Sequence, residues 1–172
     1  MNWCALRDCD VANGEGVRVS LFVAGCRHRC PGCFNDVAWD FAAGEPWTAE
    51  TERRTLDALG PDHVEGLSLL GGEPFEPENQ PDLLRLVEKA KARFPEKSVW
   101  CWTGCVLERD LLPGSAGPWY AGATTDRLLS LLDVLVDGPY VEAERNLSLR
   151  FRGSANQRIL RRDGAVWRDA TN

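Results

Sequence analysis

Three cysteines within eight residues, Cys26, Cys30 and Cys33, carry the most chemistry in this 172-residue sequence. They lie in the segment Gly25-Cys26-Arg27-His28-Arg29-Cys30-Pro31-Gly32-Cys33-Phe34-Asn35, with C-x3-C-x2-C spacing. Thiolates are natural ligands for iron–sulfur clusters, and a cube of four irons ordinarily takes four of them. Three ligands leave one iron open to bind a substrate. Structural zinc is the alternative, with His28 or a distant cysteine as the fourth ligand. His28, however, sits between two of the cysteines, unlike the paired ligands of zinc knuckles, so the spacing favours a cluster. A metal-free turn would leave three thiols exposed to no purpose.

Four further cysteines, Cys4, Cys9, Cys101 and Cys105, are scattered. Seven cysteines cannot all pair, and their clustering points to a metal site instead of a disulfide framework. Cys101 and Cys105 remain redox candidates, although a buried cysteine is more often inert. Other polar or glycine-rich positions fall at the ends of apolar runs. Gly71, Gly72 and Glu73 follow one such run, and here a tight turn competes with ligand binding. Thr103 and Gly104 end another and could contact a ribose or carboxylate, or simply turn the chain. Asp137 ends a third and could accept from a ligand hydroxyl or a backbone group, with capping a loop the competing role. Trp100 and Trp102 read as cover for a sheet.

These positions need strands and helices to hold them. Residues 17–24 (VRVSLFVA) follow the turn Asn13-Gly14-Glu15-Gly16 and read as a first strand. Further strands are expected at 64–70, 98–102, 134–136 and 148–151. Thr48 caps a helix running to about Leu59, with Glu50 and Glu52 in its first turn. Pro81 opens a second, whose apolar face is Leu83, Leu86, Val87, Ala90 and Phe94. Residues 126–132 suggest a third, 113–122 a loop, and the tail after Gly153 gives no clear pattern. Alternating strands and helices imply βαβ units. A closed barrel of eight takes about 250 residues, so the expected fold is α/β, an open partial (β/α) barrel of five to six βα units in one domain, 1–172.

Composition narrows the setting. A 44% hydrophobic and 27% charged chain reads as globular, and the net charge of −6 argues against a general nucleic-acid or membrane-surface binder. No apolar run reaches the ~18 residues of a membrane span. The N-terminal residues lack the apolar stretch of a secretory signal, so a cytoplasmic location is expected.

Together the cysteine loop and the Gly-Gly-Glu motif resemble the radical S-adenosylmethionine (radical SAM) superfamily. The run VANGEGVRVSLFVAGCRHRCPGCFN is similar to the start of the anaerobic ribonucleotide reductase activases, a group of glycyl-radical activating enzymes. The similarity continues through Gly44-Glu45-Pro46-Trp47-Thr48, Leu69-Leu70-Gly71-Gly72-Glu73-Pro74, Trp102-Thr103-Gly104, Val136-Asp137-Gly138 and Arg152-Gly153-Ser154-Ala155-Asn156-Gln157. Many superfamily members have an aromatic residue before the third cysteine. Here Gly32 stands there and Phe34 follows, a variant typical of the subgroup.

The resemblance implies a barrel of the radical SAM type and a 4Fe–4S cluster on Cys26, Cys30 and Cys33. It implies S-adenosylmethionine as second cofactor, its amino group met by Gly71, Gly72 and Glu73, with Gly32 and Phe34 near the adenine. Reductive cleavage would give a 5′-deoxyadenosyl radical that installs a glycyl radical on an anaerobic ribonucleotide reductase. The electron would come from an external donor such as flavodoxin or ferredoxin. Two alternatives stay open: a radical enzyme acting on a small molecule, as in modified-nucleoside synthesis, and a zinc-binding interaction module. The roles of Asn156 and Gln157 are not assigned by either argument.

Overall fold

The structure, a computed structural model, describes residues 1–171. Eight strands form one mixed sheet: β1 (Asn2–Asp10), β2 (Val17–Val23), β3 (Glu45–Pro46), β4 (Val64–Gly71), β5 (Ser98–Trp102), β6 (Val134–Asp137), β7 (Arg158–Asp163) and β8 (Val166–Asp169). Their spatial order is β3-β1-β2-β4-β5-β6-β7-β8. Only β2, β4, β5 and β6 run parallel; β1 and β3 on one side, and β7 and β8 on the other, pair antiparallel.

This corrects the expected barrel of five to six βα units. A parallel pairing needs a long crossover, and the chain supplies three: α1 (Ala49–Ala58), α2 (Gln80–Arg93) and α3 (Ala123–Leu131). The chain ends instead add strands through tight turns. Residues 11–16 return β1 to β2, and Gly164-Ala165 closes the β7–β8 hairpin. The strand expected at 148–151 is turn and bend. Phe151 there has a left-handed backbone (φ 60°) that no strand accommodates.

The helices form where local signals place them. The Thr48 hydroxyl accepts the Thr51 N–H at 3.2 Å and caps α1. Pro81 occupies the first turn of α2, where its missing N–H costs no hydrogen bond. Leu83, Leu86, Val87 and Ala90 of α2 are buried against one face of the sheet. Register builds that face in rows: Val19, Leu67 and Val99 are neighbours, as are Leu21, Leu69, Cys101, Leu135 and Leu160. Each such leucine, fully buried, contributes about 1.5–3 kcal/mol.

Among the described residues no helix contributes to the apolar cluster on the opposite face, which the 11–16 turn folds back across. Asp10 holds that turn, accepting the Ala12 N–H at 2.8 Å and Asn13 Nδ2 at 2.6 Å. The Asn13 carbonyl accepts the Ser68 hydroxyl at 2.6 Å. Arg18, buried below it, donates to Ser68 Oγ, Ser98 Oγ and the carbonyls of Glu15, Leu67 and Ser98. Burial without a carboxylate partner lowers its pKa to about 10. Trp100, 1% exposed, lies against Arg18, Trp102 and Phe151 on this face. No helix among the described residues is long and apolar enough to cross a membrane.

Candidate metal and cofactor site

The parallel strands end at a cavity of ≈390 Å³. Cys26, Cys30 and Cys33, in the loop after β2, all line it. Gly71 at the end of β4, Gly72 and Glu73 just beyond it, and Thr103 and Gly104 after β5 form the adjoining wall. Leu70, Trp39, Trp102 and Phe151 give it apolar surface, and Tyr140, Arg152 and Gln157 close the far side.

The cysteine loop is tied down by backbone contacts that only small residues permit. Gly72 N–H donates to the Val23 carbonyl at 2.7 Å, and Glu73 N–H donates to the Gly25 carbonyl at 2.8 Å. A Cβ on Gly72 would sit 2.4 Å from the Gly25 oxygen and 2.9 Å from that of Ala38. Gly71, at φ 115°, leaves no room for one either, with Val23 N at 2.5 Å. Both glycines are thus required for two loops to touch. Asn79, 1% exposed, donates from Nδ2 to the carbonyls of Ala24 and Glu73, both at 2.9 Å.

Glu73 is fully buried. Its carboxylate accepts from Phe75 N–H (2.8 Å), the Thr103 hydroxyl (2.7 Å) and Gly104 N–H (2.8 Å), and lies 3.0 Å from His28 Nε2. All four of these partners belong to the protein itself, so its carboxylate serves the fold. His28 also stacks on Trp119, centroids 4.3 Å apart, and its Nε2 lies 3.6 Å from Cys105 Sγ. It is held in the wall, engaged away from the three thiols. Burial alone would lower its pKa, but the Glu73 carboxylate outweighs that and the net shift is upward.

Burial, reinforced by Glu73, pushes the Cys26 thiol up to about 12, and burial raises Cys30 as well. Without a cation both favour the neutral thiol, so metal binding must displace protons. Cys101 and Cys105 are buried, and desolvation raises both thiols above the ordinary cysteine range. Cys4 and Cys9 are exposed on β1, outside the cavity.

Other expected residues are placed differently. Phe34 touches the cavity but is 90% exposed at its mouth. Gly32 lies outside the lining; the space beside it is taken by the Glu142 carboxylate. The Thr103 hydroxyl, 4% exposed, is spent on Glu73 and on Cys105 N–H. Asp137 is buried outside the cavity lining, accepting Leu107 N–H at 2.9 Å and the Arg158 guanidinium. It caps a loop.

Sequence reasoning missed several supports. Glu76 accepts Arg27 N–H at 2.6 Å and pairs with its guanidinium, anchoring the cysteine loop. Gln157 accepts from Gly153 N–H (2.8 Å) and Ser154 N–H (3.2 Å) and donates to the Gly138 carbonyl (3.0 Å). Asn156 Nδ2 donates to the Pro139 carbonyl at 2.8 Å. The three-residue spacing of Glu73, Glu76 and Asn79 was the available signal for the first group.

A family model described as a 4Fe-4S single cluster domain matches residues 12–160. The anaerobic ribonucleoside-triphosphate reductase-activating protein of Escherichia coli K12 is 38% identical over 159 residues, 91% of this chain and 96% of its own. The chain belongs to this activating-protein family. The protein of that name from Enterobacteria phage T4 is 37% identical over 170 residues, spanning 98% of this chain and 99% of its own. Its counterpart from Vibrio cholerae is 37% identical over 163 residues, 94% and 98%. The family-model match supports an iron–sulfur cluster in this chain. The donor set agrees: three thiols open to one cavity, and the nearby His28 is already engaged by Glu73 and Trp119.

Proposed function

We propose that this chain activates an anaerobic ribonucleotide reductase by radical S-adenosylmethionine chemistry. One observation carries the reading: three cysteines share a cavity with the backbone of Gly71 and Gly72, while the one neighbouring histidine is locked elsewhere. Cys26, Cys30 and Cys33 would hold a 4Fe–4S cluster with one iron left open. When bound, such a cluster supplies one electron to the sulfonium, whose cleavage gives a 5′-deoxyadenosyl radical able to take a hydrogen atom from a glycine α-carbon. The relatives' names supply the partner, an anaerobic ribonucleoside-triphosphate reductase, as the source of that glycine.

The chain's own residues do the positioning. Glu73, Asn79 and Glu76 fix the cysteine loop against the ends of β4 and β5. Main-chain carbonyls at Gly71 and Gly72 are acceptors for an ammonium. Trp39, Leu70, Trp102 and Phe151 exclude water from the reacting centre. Among the described residues the cavity lining holds no cysteine beyond Cys26, Cys30 and Cys33, which supports an external one-electron donor, such as flavodoxin or ferredoxin, as the source of the electron.

The test is anaerobic. Reconstituted protein, S-adenosylmethionine, a reductant and the reductase are mixed and the glycyl radical is read by EPR. A doublet that appears with wild type and vanishes with Cys30→Ala is expected. Protein that binds stoichiometric zinc, holds no iron and gives no radical would refute the proposal.

A further inference from the structure

The two most exposed large apolar side chains among the described residues are Phe34, at 90%, and Leu147, at 87%. Both belong to segments that border the cavity. Phe34 lines it directly, and Leu147 lies between the lining residues Tyr140 and Leu149. Val37, also exposed, comes two residues before Trp39, another lining residue. The two segments meet: the Glu142 carboxylate carbon lies 2.7 Å from where a Cβ on Gly32 would sit. Exposed apolar residues gathered beside a cavity mark contact with another molecule, as scattered ones do not.

The segment carrying Leu147 projects and holds its shape. Residues 142–148 are all exposed. Arg145 bridges Ser154 across the neck, where Asn146 N–H donates to the Gly153 carbonyl at 3.3 Å and Ala155 N–H to that of Glu144 at 2.9 Å. The buried Ser154 hydroxyl accepts Val141 N–H at 3.2 Å. At the tip, the Asn146 side chain accepts Ser148 N–H at 2.9 Å. A clamped neck leaves less entropy to lose when the tip is ordered on binding. The loop also carries charge. Residues 145–152 read RNLSLRFR, three arginines and no acid, in a chain of net charge −6, with Glu142 and Glu144 preceding them. Arg145 and Arg150, and Arg29 on the cysteine loop, are exposed, and among the described residues none of the three forms an ion pair, unlike Arg27 with Glu76. Arginine and aromatic side chains are enriched where proteins meet.

We infer that the 145–150 loop, with Phe34 and Val37, is the docking surface for the reductase, and that the face it meets carries apolar side chains and carboxylates around the glycine. The inference rests on the proposed function, which supplies the occupant. The 5′-deoxyadenosyl radical takes a hydrogen atom from the glycine α-carbon only when the two carbons are in contact, so the glycine has to enter the cavity. Whatever carries that glycine then covers the residues bordering the mouth. An electron donor needs no such entry, and the interfaces of weak electron-transfer pairs are small. Leu147 and Phe34 supply apolar area to be buried, while Arg145 and Arg150 steer an acidic face toward an otherwise acidic protein.

The experiment titrates cluster-loaded protein with the reductase, reading both direct binding and, with dithionite as reductant, the glycyl radical. Leu147→Ser should raise the reductase concentration at half-maximum by about 5- to 30-fold in both readings. Arg145→Glu with Arg150→Glu should weaken binding in dilute buffer and much less at high salt. Val166→Ser on β8 and Arg54→Glu on α1, equally exposed changes elsewhere, should match wild type. Cleavage of S-adenosylmethionine without reductase, followed as 5′-deoxyadenosine, should be the same in every variant. Loop variants that titrate like these controls would overturn the inference. So would a loss seen only when flavodoxin replaces dithionite, which assigns the loop to the electron donor, or a change in the protein's own sedimentation, which assigns it to a second copy. Wild-type protein that binds the reductase through this loop yet forms neither 5′-deoxyadenosine nor a radical would overturn the proposed chemistry and leave the docking surface standing.

Discussion

Replacing Glu73 by glutamine tests whether the acid of the Gly-Gly-Glu motif serves the ligand or the fold. Its two oxygens accept from two backbone N–H groups and one hydroxyl, and His28 Nε2 stands 3.0 Å away, all without solvent contact. An amide of the same shape turns one of those oxygens into a donor. Placed toward Phe75 and Thr103, it opposes the Phe75 N–H; placed toward Gly104 and His28, it opposes the Gly104 N–H. Either orientation strands a buried backbone donor at about 1–3 kcal/mol, and loss of charge weakens the remaining bonds, for a total near 3 kcal/mol. In a chain of this size that lowers Tm by about 6–12 °C. Thermal unfolding of cluster-free Glu73→Gln protein, with no S-adenosylmethionine present, should show the whole loss. An unchanged Tm together with lost ligand affinity would refute the reasoning and return the Glu73 carboxylate to the ligand.

Three other perturbations probe separate parts of the molecule. Gly72→Ala drives a methyl into the Gly25 and Ala38 carbonyl oxygens; backbone cannot yield cheaply, so stability should fall by about 1–3 kcal/mol and iron loading should drop, as read by iron analysis after reconstitution. Thr48→Ala removes the α1 cap and should cost about 1 kcal/mol in urea unfolding without altering iron content. Asp10 accepts two hydrogen bonds that outweigh its desolvation, so its folded pKa lies below the unfolded value. Its stabilisation is therefore present at neutral pH and is lost as pH falls below about 4. The stability gap between wild type and Asp10→Asn should close across that acid range; a gap that stays constant would show that charge plays no part.

The core strands and all three helices were legible in the sequence because their signals are local. β-branched runs mark β2 and β4, Thr48 and Pro81 mark helix starts, and the α2 apolar face repeats with helical period. The edges were not. β1 carries Arg7, Asp8 and Asp10 and is largely half-buried or exposed, so it lacks the alternation that reveals a strand. β7 and β8 are equally charged, and only Asp163-Gly164 marked their turn. With both edges missed, the number of parallel units was overcounted and a barrel expected where a mixed sheet forms.

The sequence by itself carried the proposed donor set: three closely spaced cysteines, with a glycine pair closing a later strand. That information is covalent spacing and residue type, which no fold can alter. Tertiary structure decided what each polar group is free to do. Glu73, Thr103 and Asp137 look alike in sequence, polar residues at strand ends, yet all three are consumed by backbone donors that only the assembled loops bring within reach. Arg152, more than a hundred residues from the cysteines, enters their cavity because a strained turn and the Gln157 clamp put it there. Hydrogen-bond saturation is a property of neighbours in space, and so it cannot be read along the chain.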